Sequence, residues 1–201
     1  MNTDLLISHD NFPEENVENW ETFDNTDLIE DHSDISKDVE IVVSKLSHRG
    51  RQITAKIQIP HPIEKIWQIL TDYESLPNFI PNLAQSRRLT HPDDGIRLEQ
   101  VGSQKLLNFK FCARVVLDLE EVFPQLIKFN MVEGDFKDFQ GSWCLEPYSV
   151  NNEQGTTLCY TISIVPKLTM PVSIIECRLK KDLQTNLLAI RDEASKSVSI
   201  N

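Results

Sequence analysis

Two runs of strict alternation restrict this chain more than any other feature. Arg51-Gln-Ile-Thr-Ala-Lys-Ile-Gln-Ile59 sets Ile53, Ala55, Ile57 and Ile59 on one parity and polar residues on the other. Between positions 105 and 122, Phe109, Phe111, Ala113, Val115, Leu117 and Leu119 share a parity, while Lys110, Arg114, Asp118 and Glu120 take the opposite one. Successive strand side chains point to opposite faces, so each run is a strand with one dry and one wet face. That pattern belongs to an antiparallel sheet, and its dry face needs a cover. The sequence supplies one at its end. From Pro171 to Lys196 the period becomes helical, with Ile174, Leu179, Leu183, Leu187 and Ile190 on the main apolar stripe and Ile175 and Leu188 widening it.

The remaining elements follow from local signals. Residues 40–46 read as a strand leading into a turn at Ser47-His-Arg-Gly50. Pro60 and Pro62 end the second strand and open a helix, because proline fits the first helical turn. Ile63, Ile66, Trp67 and Leu70 then recur at three and four residues. Asp72 to Pro81 reads as a bend and a second short helix burying Leu76, Phe79, Ile80 and Leu83. A turn at Gly102 is expected to separate strands at 96–101 and 105–122. Pro124 turns the chain into 126–132, where Ile127, Phe129 and Met131 form the inner set. Strands at 141–146 and 156–165 flank a hairpin signal at Asn151-Asn-Glu-Gln-Gly155. Strands in series with helices set apart imply an α+β fold, not an alternating α/β one.

Charge divides the chain. Met1 to Glu40 carries thirteen acidic residues against Lys37 alone, so the formal net charge of -11 resides wholly in this segment. Residues 1–38 are expected to be a disordered acidic tail, with an ordered domain over 39–196 and a short tail at 197–201. A nearly neutral domain is not the footprint of a nucleic-acid binder. Cys112, Cys144, Cys159 and Cys177 are scattered, with no C-x-x-C pair and no nearby histidine, so neither a zinc site nor any cofactor is expected. The absence of a secretory pattern or a long apolar run points to a cytoplasmic chain, with peripheral membrane contact left open. Arg87-Arg88 and the group Arg178, Lys180 and Lys181 read as solvated positions that could face an anionic surface. A monomer is the default expectation.

The segment Ile57-Gln-Ile-Pro-His-Pro-Ile-Glu-Lys-Ile-Trp-Gln-Ile-Leu-Thr-Asp-Tyr-Glu-Ser-Leu-Pro-Asn-Phe-Ile-Pro81 resembles the opening of the START / Bet v 1-like superfamily, which includes the polyketide cyclase/dehydrase and lipid-transport proteins. Glu133-Gly-Asp-Phe-Lys-Asp-Phe-Gln-Gly-Ser-Trp143 is similar to that family's Gly-x-Phe…Trp segment, and the long last helix completes the likeness. Within it, the chain looks nearest to the coenzyme-Q-binding START-like proteins of cyanobacterial and plastid type. The resemblance implies a helix-grip fold, a curved antiparallel sheet around the C-terminal helix, and a cavity between the two. With the parities above, its wall would comprise Phe109, Phe111, Val115, Phe129, Met131, Phe139 and Trp143, closed from the helix by Ile174, Leu183 and Leu187.

The leading functional reading is a carrier or chaperone for an apolar small molecule such as a lipid, isoprenoid or quinone. Two alternatives stand beside it: a polyketide cyclase/dehydrase-type enzyme, and a protein-interaction module using the acidic tail. Proton-transfer chemistry needs an ionisable group in the pocket, and the inward parities are almost entirely apolar. Glu133 shares the parity of Phe129 and Met131, but the adjacent Gly134 suggests a strand end or bulge. No nucleophile motif or phosphate loop occurs, and no catalytic residue is assigned.

Overall fold

The alternation at 51–59 is realised as strand β2 (Arg51–Ile59), with Ile53, Ala55, Ile57 and Ile59 all essentially inaccessible to solvent. In the computed structural model, which describes residues 37–106, 109–150 and 153–196, β2 lies between β1 (Val39–Lys45) and β8 (Glu153–Val165). The tail expected at 1–38 falls almost entirely outside these residues, as does the short tail at 197–201. After β2 come helix α1 (Ile63–Thr71), a single 3₁₀ turn at Leu76–Asn78, and five further strands. These are β3 (Leu83–Leu89), β4 (Ile96–Leu106), β5 (Phe109–Val122), β6 (Leu126–Gly134) and β7 (Asp138–Val150). Helix α2 (Val172–Ser195) follows β8. All eight strands form one antiparallel sheet in the order β1-β2-β8-β7-β6-β5-β4-β3, curved around α2.

Four expectations require correction. The segment after α1 forms only one 3₁₀ turn, and Leu83 begins a strand instead of closing a helix. That strand, β3, shows little alternation because it is a sheet edge, where charged residues such as Arg87 and Arg88 discourage pairing with other chains. Finally, β4 runs straight through Gly102, which pairs with Leu83 on one side and Ala113 on the other. β7 and β8 also extend beyond the expected limits, pairing as far as Val150 with Glu153.

The 24 residues of α2 give a helix about 36 Å long at ~1.5 Å per residue. It packs on β2, with flanking contacts to β1 and β8. Leu183, Leu187, Ile190 and Ala194 are fully buried in this contact, and Ile175 nearly so. Trp67 and Leu70 of α1 join the same core, with the Trp67 ring edge-on to Phe123 at 5.4 Å. The far half of the sheet, β3 to β6, curves round the helix at a distance, without the close packing that β2 makes. Gly141 allows part of that curvature: a Cβ there would lie 2.1 Å from the Thr161 carbonyl oxygen and 2.5 Å from the Phe129 ring. Only glycine lets the two strands and the aromatic ring come this close.

The wet face is held by ion pairs. Glu99, 5 % exposed, accepts hydrogen bonds from Arg87 Nε and Arg114 Nε, and Arg114 also reaches Glu133. Arg97 grips Asp118 with two nitrogens, at 2.6 and 2.7 Å. Glu99 is held below its ordinary value first by the Arg87 hydrogen bond, against the opposing effect of burial, and then by Arg114. Among the described residues no helix is long and apolar enough to cross a membrane, and no group of three or more His, Cys, Asp or Glu side chains could hold a metal. All four cysteines are free thiols.

Candidate ligand cavity

Because α2 covers the β1-β2-β8 half of the sheet, the space under the β3–β7 half is bounded by sheet on one side and by only one edge of the helix on the other. A cavity of about 220 Å³ occupies it. At ~30 Å³ per water molecule this is room for about seven water-sized groups, well above a packing defect. The floor is apolar. Val115, Leu117 and Leu119 of β5, with Ile127 and Phe129 of β6, reach it by the alternation visible in the sequence. An aromatic run continues the wall: Phe136 stacks on Phe139 at 5.6 Å, Phe139 meets Phe129 at 5.6 Å, and Trp143 lies flat on its cross-strand partner Tyr160 at 3.5 Å.

Of the side chains expected on this wall, Val115, Phe129, Phe139, Trp143 and Leu183 border the cavity. The side chains of Phe109 and Phe111 lie outside the described residues. Met131, Ile174 and Leu187 are placed elsewhere, each for a distinct reason. Met131 precedes a register shift at which Val116 pairs with Glu133 but Leu117 with Met131, and its sulfur fills the space beside Gly134. Ile174 is one residue, or about 100°, from the helix face that matters, and Ile175 takes its place. Leu187 is fully buried, packed with the core instead of lining the cavity.

The same register shift decides Glu133. Val132 is the extra residue of the bulge and half exposed, so Glu133 moves to the wet face, where Arg114 Nη1 lies 2.6 Å from its carboxylate. It cannot serve a reaction inside the cavity.

Sequence reasoning misses the cavity's polar edge. Arg178, Asp182 and Asn186 follow one another at intervals of four along α2 and all border the cavity. Facing them are Asn82, just before β3, and Gln100 and Ser103 of β4. Asn82 Nδ2 donates to Asp182 Oδ1 at 3.0 Å, tying the helix to the start of β3. Gln100 Nε2 donates to Ser86 Oγ at 3.2 Å. Arg178 Nε and Asn186 Oδ1 are buried and have no hydrogen-bond partner among the described residues. The expectation that Arg178 and Lys180 are both solvated holds for Lys180, in an i,i+4 pair with Glu176 at 3.2 Å, and fails for Arg178. The spacing of four is legible in the sequence, but an arginine at that spacing looks like helix surface. Burial, and then the nearby Asp182 charge, push the Tyr160 hydroxyl far above its ordinary value, so it remains a neutral phenol. Tyr73, also on the wall, is raised by burial and by its hydrogen bond to Glu121, and it too stays neutral.

A single antiparallel sheet gripping a C-terminal helix, with a cavity held between them, defines a START / Bet v 1-like protein. Residues 59–190 match the family described as polyketide cyclase / dehydrase and lipid transport, and the chain belongs to that family. Among curated relatives it is 29 % identical over 98 residues to the ribosome association toxin RatA of Escherichia coli, a stretch covering 49 % of this chain and 60 % of that protein. The chain thus spans less than two thirds of that relative's length. Among solved structures it is similar to a STAR-related lipid transfer protein from Xanthomonas axonopodis, with a TM-score of 0.63 and 13 % identity over 82 % of this chain and 97 % of the other. It is also similar to the Zhui aromatase/cyclase from Streptomyces sp. R1128, with a TM-score of 0.58 and 14 % identity over 72 % and 93 % of the two chains. Identities this low bear on the fold alone.

Proposed function

We propose that this protein holds an apolar small molecule, a lipid, isoprenoid or quinone, in the cavity between sheet and α2, and acts as a carrier or chaperone for it. The observation behind this reading is the cavity itself: about 220 Å³ that the chain's own side chains leave open while lining it with aliphatic and aromatic groups. Protein interiors are normally packed without such spaces, and each methylene a ligand buries there contributes ~0.8 kcal/mol without any chemistry. Glu133, the carboxylate that the sequence offered for cyclase chemistry, points outward, and the carboxylate that does border the cavity, Asp182, is engaged by Asn82. A coenzyme-Q-like ligand agrees with the aromatic wall, but so does an acyl or isoprenoid chain, because an apolar pocket discriminates chain types by only ~1–3 kcal/mol per methylene.

The test is native mass spectrometry of the full chain purified under mild conditions, followed by solvent extraction and identification of what is released. A stoichiometric apolar molecule is expected. A protein that arrives empty and binds none of a panel of quinones, isoprenoids and acyl lipids would refute the proposal.

A further inference from the structure

Three turns meet at the end of the domain where β1, β6 and β8 finish and α2 begins, and hydrogen bonds tie them into one surface. From the β1–β2 turn, Arg49 Nη2 donates to the carbonyls of Lys167 and Met170 at 2.7 and 2.6 Å, holding the turn between β8 and α2 at two points. That turn closes on itself through the Met170 amide and the Lys167 carbonyl, at 3.0 Å. Lys167 Nζ donates to the Gly134 carbonyl at 3.1 Å and the Lys137 amide to the Val165 carbonyl at 2.9 Å, which binds in the β6–β7 turn. At the apex of the clamped turn stands Leu168, 87 % exposed, more than any other large apolar side chain among the described residues. Leu46, on the β1–β2 turn, is 55 % exposed. A lone exposed leucine is ordinary on a protein surface. One held out on a turn fixed from a neighbouring turn is already ordered, so seating it in a partner costs little further entropy.

The charges around it are mostly positive. Lys45, Lys137 and Lys167 are exposed, with Arg49 beside them. Among the described residues none of these four has a carboxylate within ion-pair distance, whereas Arg51, Arg87, Lys180 and Arg191 are each paired. The carboxylates on the three turns are Asp135 and Asp138, and Asp135 accepts the Arg114 amide at 2.7 Å. Of the basic residues that the sequence offers for an anionic surface, Arg87 is taken by Glu99 and Lys180 by Glu176. The unpaired cations gather instead around Leu168.

Protein interfaces are anchored by aromatic residues and arginine and are depleted in lysine. Protruding leucines ringed by lysines suit a lipid surface, where the apolar side chain enters the acyl boundary and the ammonium groups stay among the phosphates. We propose that this end of the domain docks on an anionic bilayer, with Leu168 and Leu46 inserted, Lys45, Lys137 and Lys167 at the level of the headgroups, and Arg49 holding the β8–α2 turn in position. Phe136, on the β6–β7 turn, also borders the cavity, as does Ile175 in the first turn of α2, so the docked surface adjoins the cavity. Docking does not depend on what the cavity holds.

The test is cosedimentation of the full chain, in low salt, with vesicles of phosphatidylcholine alone and of phosphatidylcholine mixed with phosphatidylserine. Binding is expected on the mixed vesicles and should be much weaker on the neutral ones. Leu168→Ser should weaken it about tenfold, the size of withdrawing one leucine from an apolar medium. Lys45→Gln and Lys137→Gln should each weaken it roughly fivefold. Lys128→Gln, the same charge change on the exposed face of β6, should leave it within about twofold, being beyond the reach of screened headgroup charge. All four side chains are exposed, and circular dichroism confirms that each variant is folded. In Leu168→Trp the added indole should be quenched by brominated phosphatidylcholine in the mixed vesicles. No binding to the mixed vesicles would overturn the proposal and leave the leucines to a protein partner. So would unchanged binding of Leu168→Ser, equal losses for Lys45→Gln and Lys128→Gln, or a Leu168→Trp indole that brominated lipid does not quench. Occupancy of the cavity is decided separately, by native mass spectrometry.

Discussion

Leu183 and Leu187 lie one turn apart on α2, are 1 % and 0 % exposed, and differ in one respect: Leu183 borders the cavity and Leu187 does not. Truncating each to alanine therefore measures the cavity without any ligand. Leu→Ala at a fully packed site costs about 2.7–5.0 kcal/mol, a transfer term plus the dispersion forgone around the new hole. Leu187 meets the full condition, so Leu187→Ala should fall in the upper part of that range, about 4 kcal/mol. Leu183 lacks neighbours on its cavity side, and a side chain with no partner atoms across a gap has already forgone that share of dispersion. Leu183→Ala should cost about 2.5 kcal/mol. With a urea m-value of about 2 kcal/mol/M, the midpoints move down by roughly 2 M for Leu187→Ala and roughly 1.2 M for Leu183→Ala. Far-ultraviolet circular dichroism on delipidated protein resolves that difference, and delipidation matters because a bound molecule would itself add stability. Equal shifts at the two positions, with equal m-values, would mean that Leu183 is packed on every side and that the reasoning from an open cavity is wrong.

Two further outcomes follow from the sheet's outer face. Glu99 is held below its ordinary value of 4.5 chiefly by Arg87, then by Arg114, so the stability it contributes is present above pH 4.5 and is lost as pH falls through the lower folded value. Glu99→Gln should lower the urea midpoint at pH 7 and show a shallower further fall between pH 4.5 and pH 3; parallel curves for the two proteins would refute this. Cys144 and Cys159 are directly opposed on β7 and β8, both free. Opposed residues of an antiparallel pair stand ~4.5–5.5 Å apart at Cα, within the ~4.4–6.8 Å that a disulfide spans. Diamide should join them with loss of two hydrogens, seen by peptide mapping without reductant, while Cys112 and Cys177, both exposed, are the first to be alkylated. Recovery of both central thiols after diamide would show that their side chains do not meet.

Much of the sheet is legible in the sequence because period two leaves a plain mark where one face is dry. β2 and the stretch of β5 from Ala113 to Leu119 read directly. β3 does not, since Leu83-Ala-Gln-Ser-Arg-Arg-Leu89 buries only Ser86 fully and carries the polar residues of an edge. Parity also fails silently at a bulge. Nothing before Gly134 announces that Val132 is the extra residue, and so Glu133 shares a parity with Phe129 without sharing its face. On the helix, Ile174 and Ile175 are equal in hydropathy and adjacent, and only the direction of the sheet chooses between them. The polar edge is hidden for another reason. Arg178, Asp182 and Asn186 look like the wet side of an amphipathic helix, which in an ordinary sandwich they would be. That they border an interior space follows from where the helix lies on the sheet, a property of strand order and curvature that no local pattern encodes.

That placement also separates the packed core from the cavity. The contacts that hold the fold, α2 on β2 with β1 and β8, lie on one side of the helix axis. The wall formed by β4 to β7 lies on the other, with the stripe Arg178–Asp182–Asn186 running between them. A helix centred on the sheet would have buried its apolar stripe symmetrically and left no room. A helix set to one side leaves a wedge whose far wall is the dry face of the uncovered strands and whose near wall is one side of α2, apolar at Ile175, Leu179 and Leu183 and polar at Arg178, Asp182 and Asn186. The cavity is then amphipathic, with its polar margin shared between α2 and the facing Asn82, Gln100 and Ser103. Substitutions along that helix edge therefore alter the margin of the cavity, while Leu187, packed in the core and away from the cavity, is untouched.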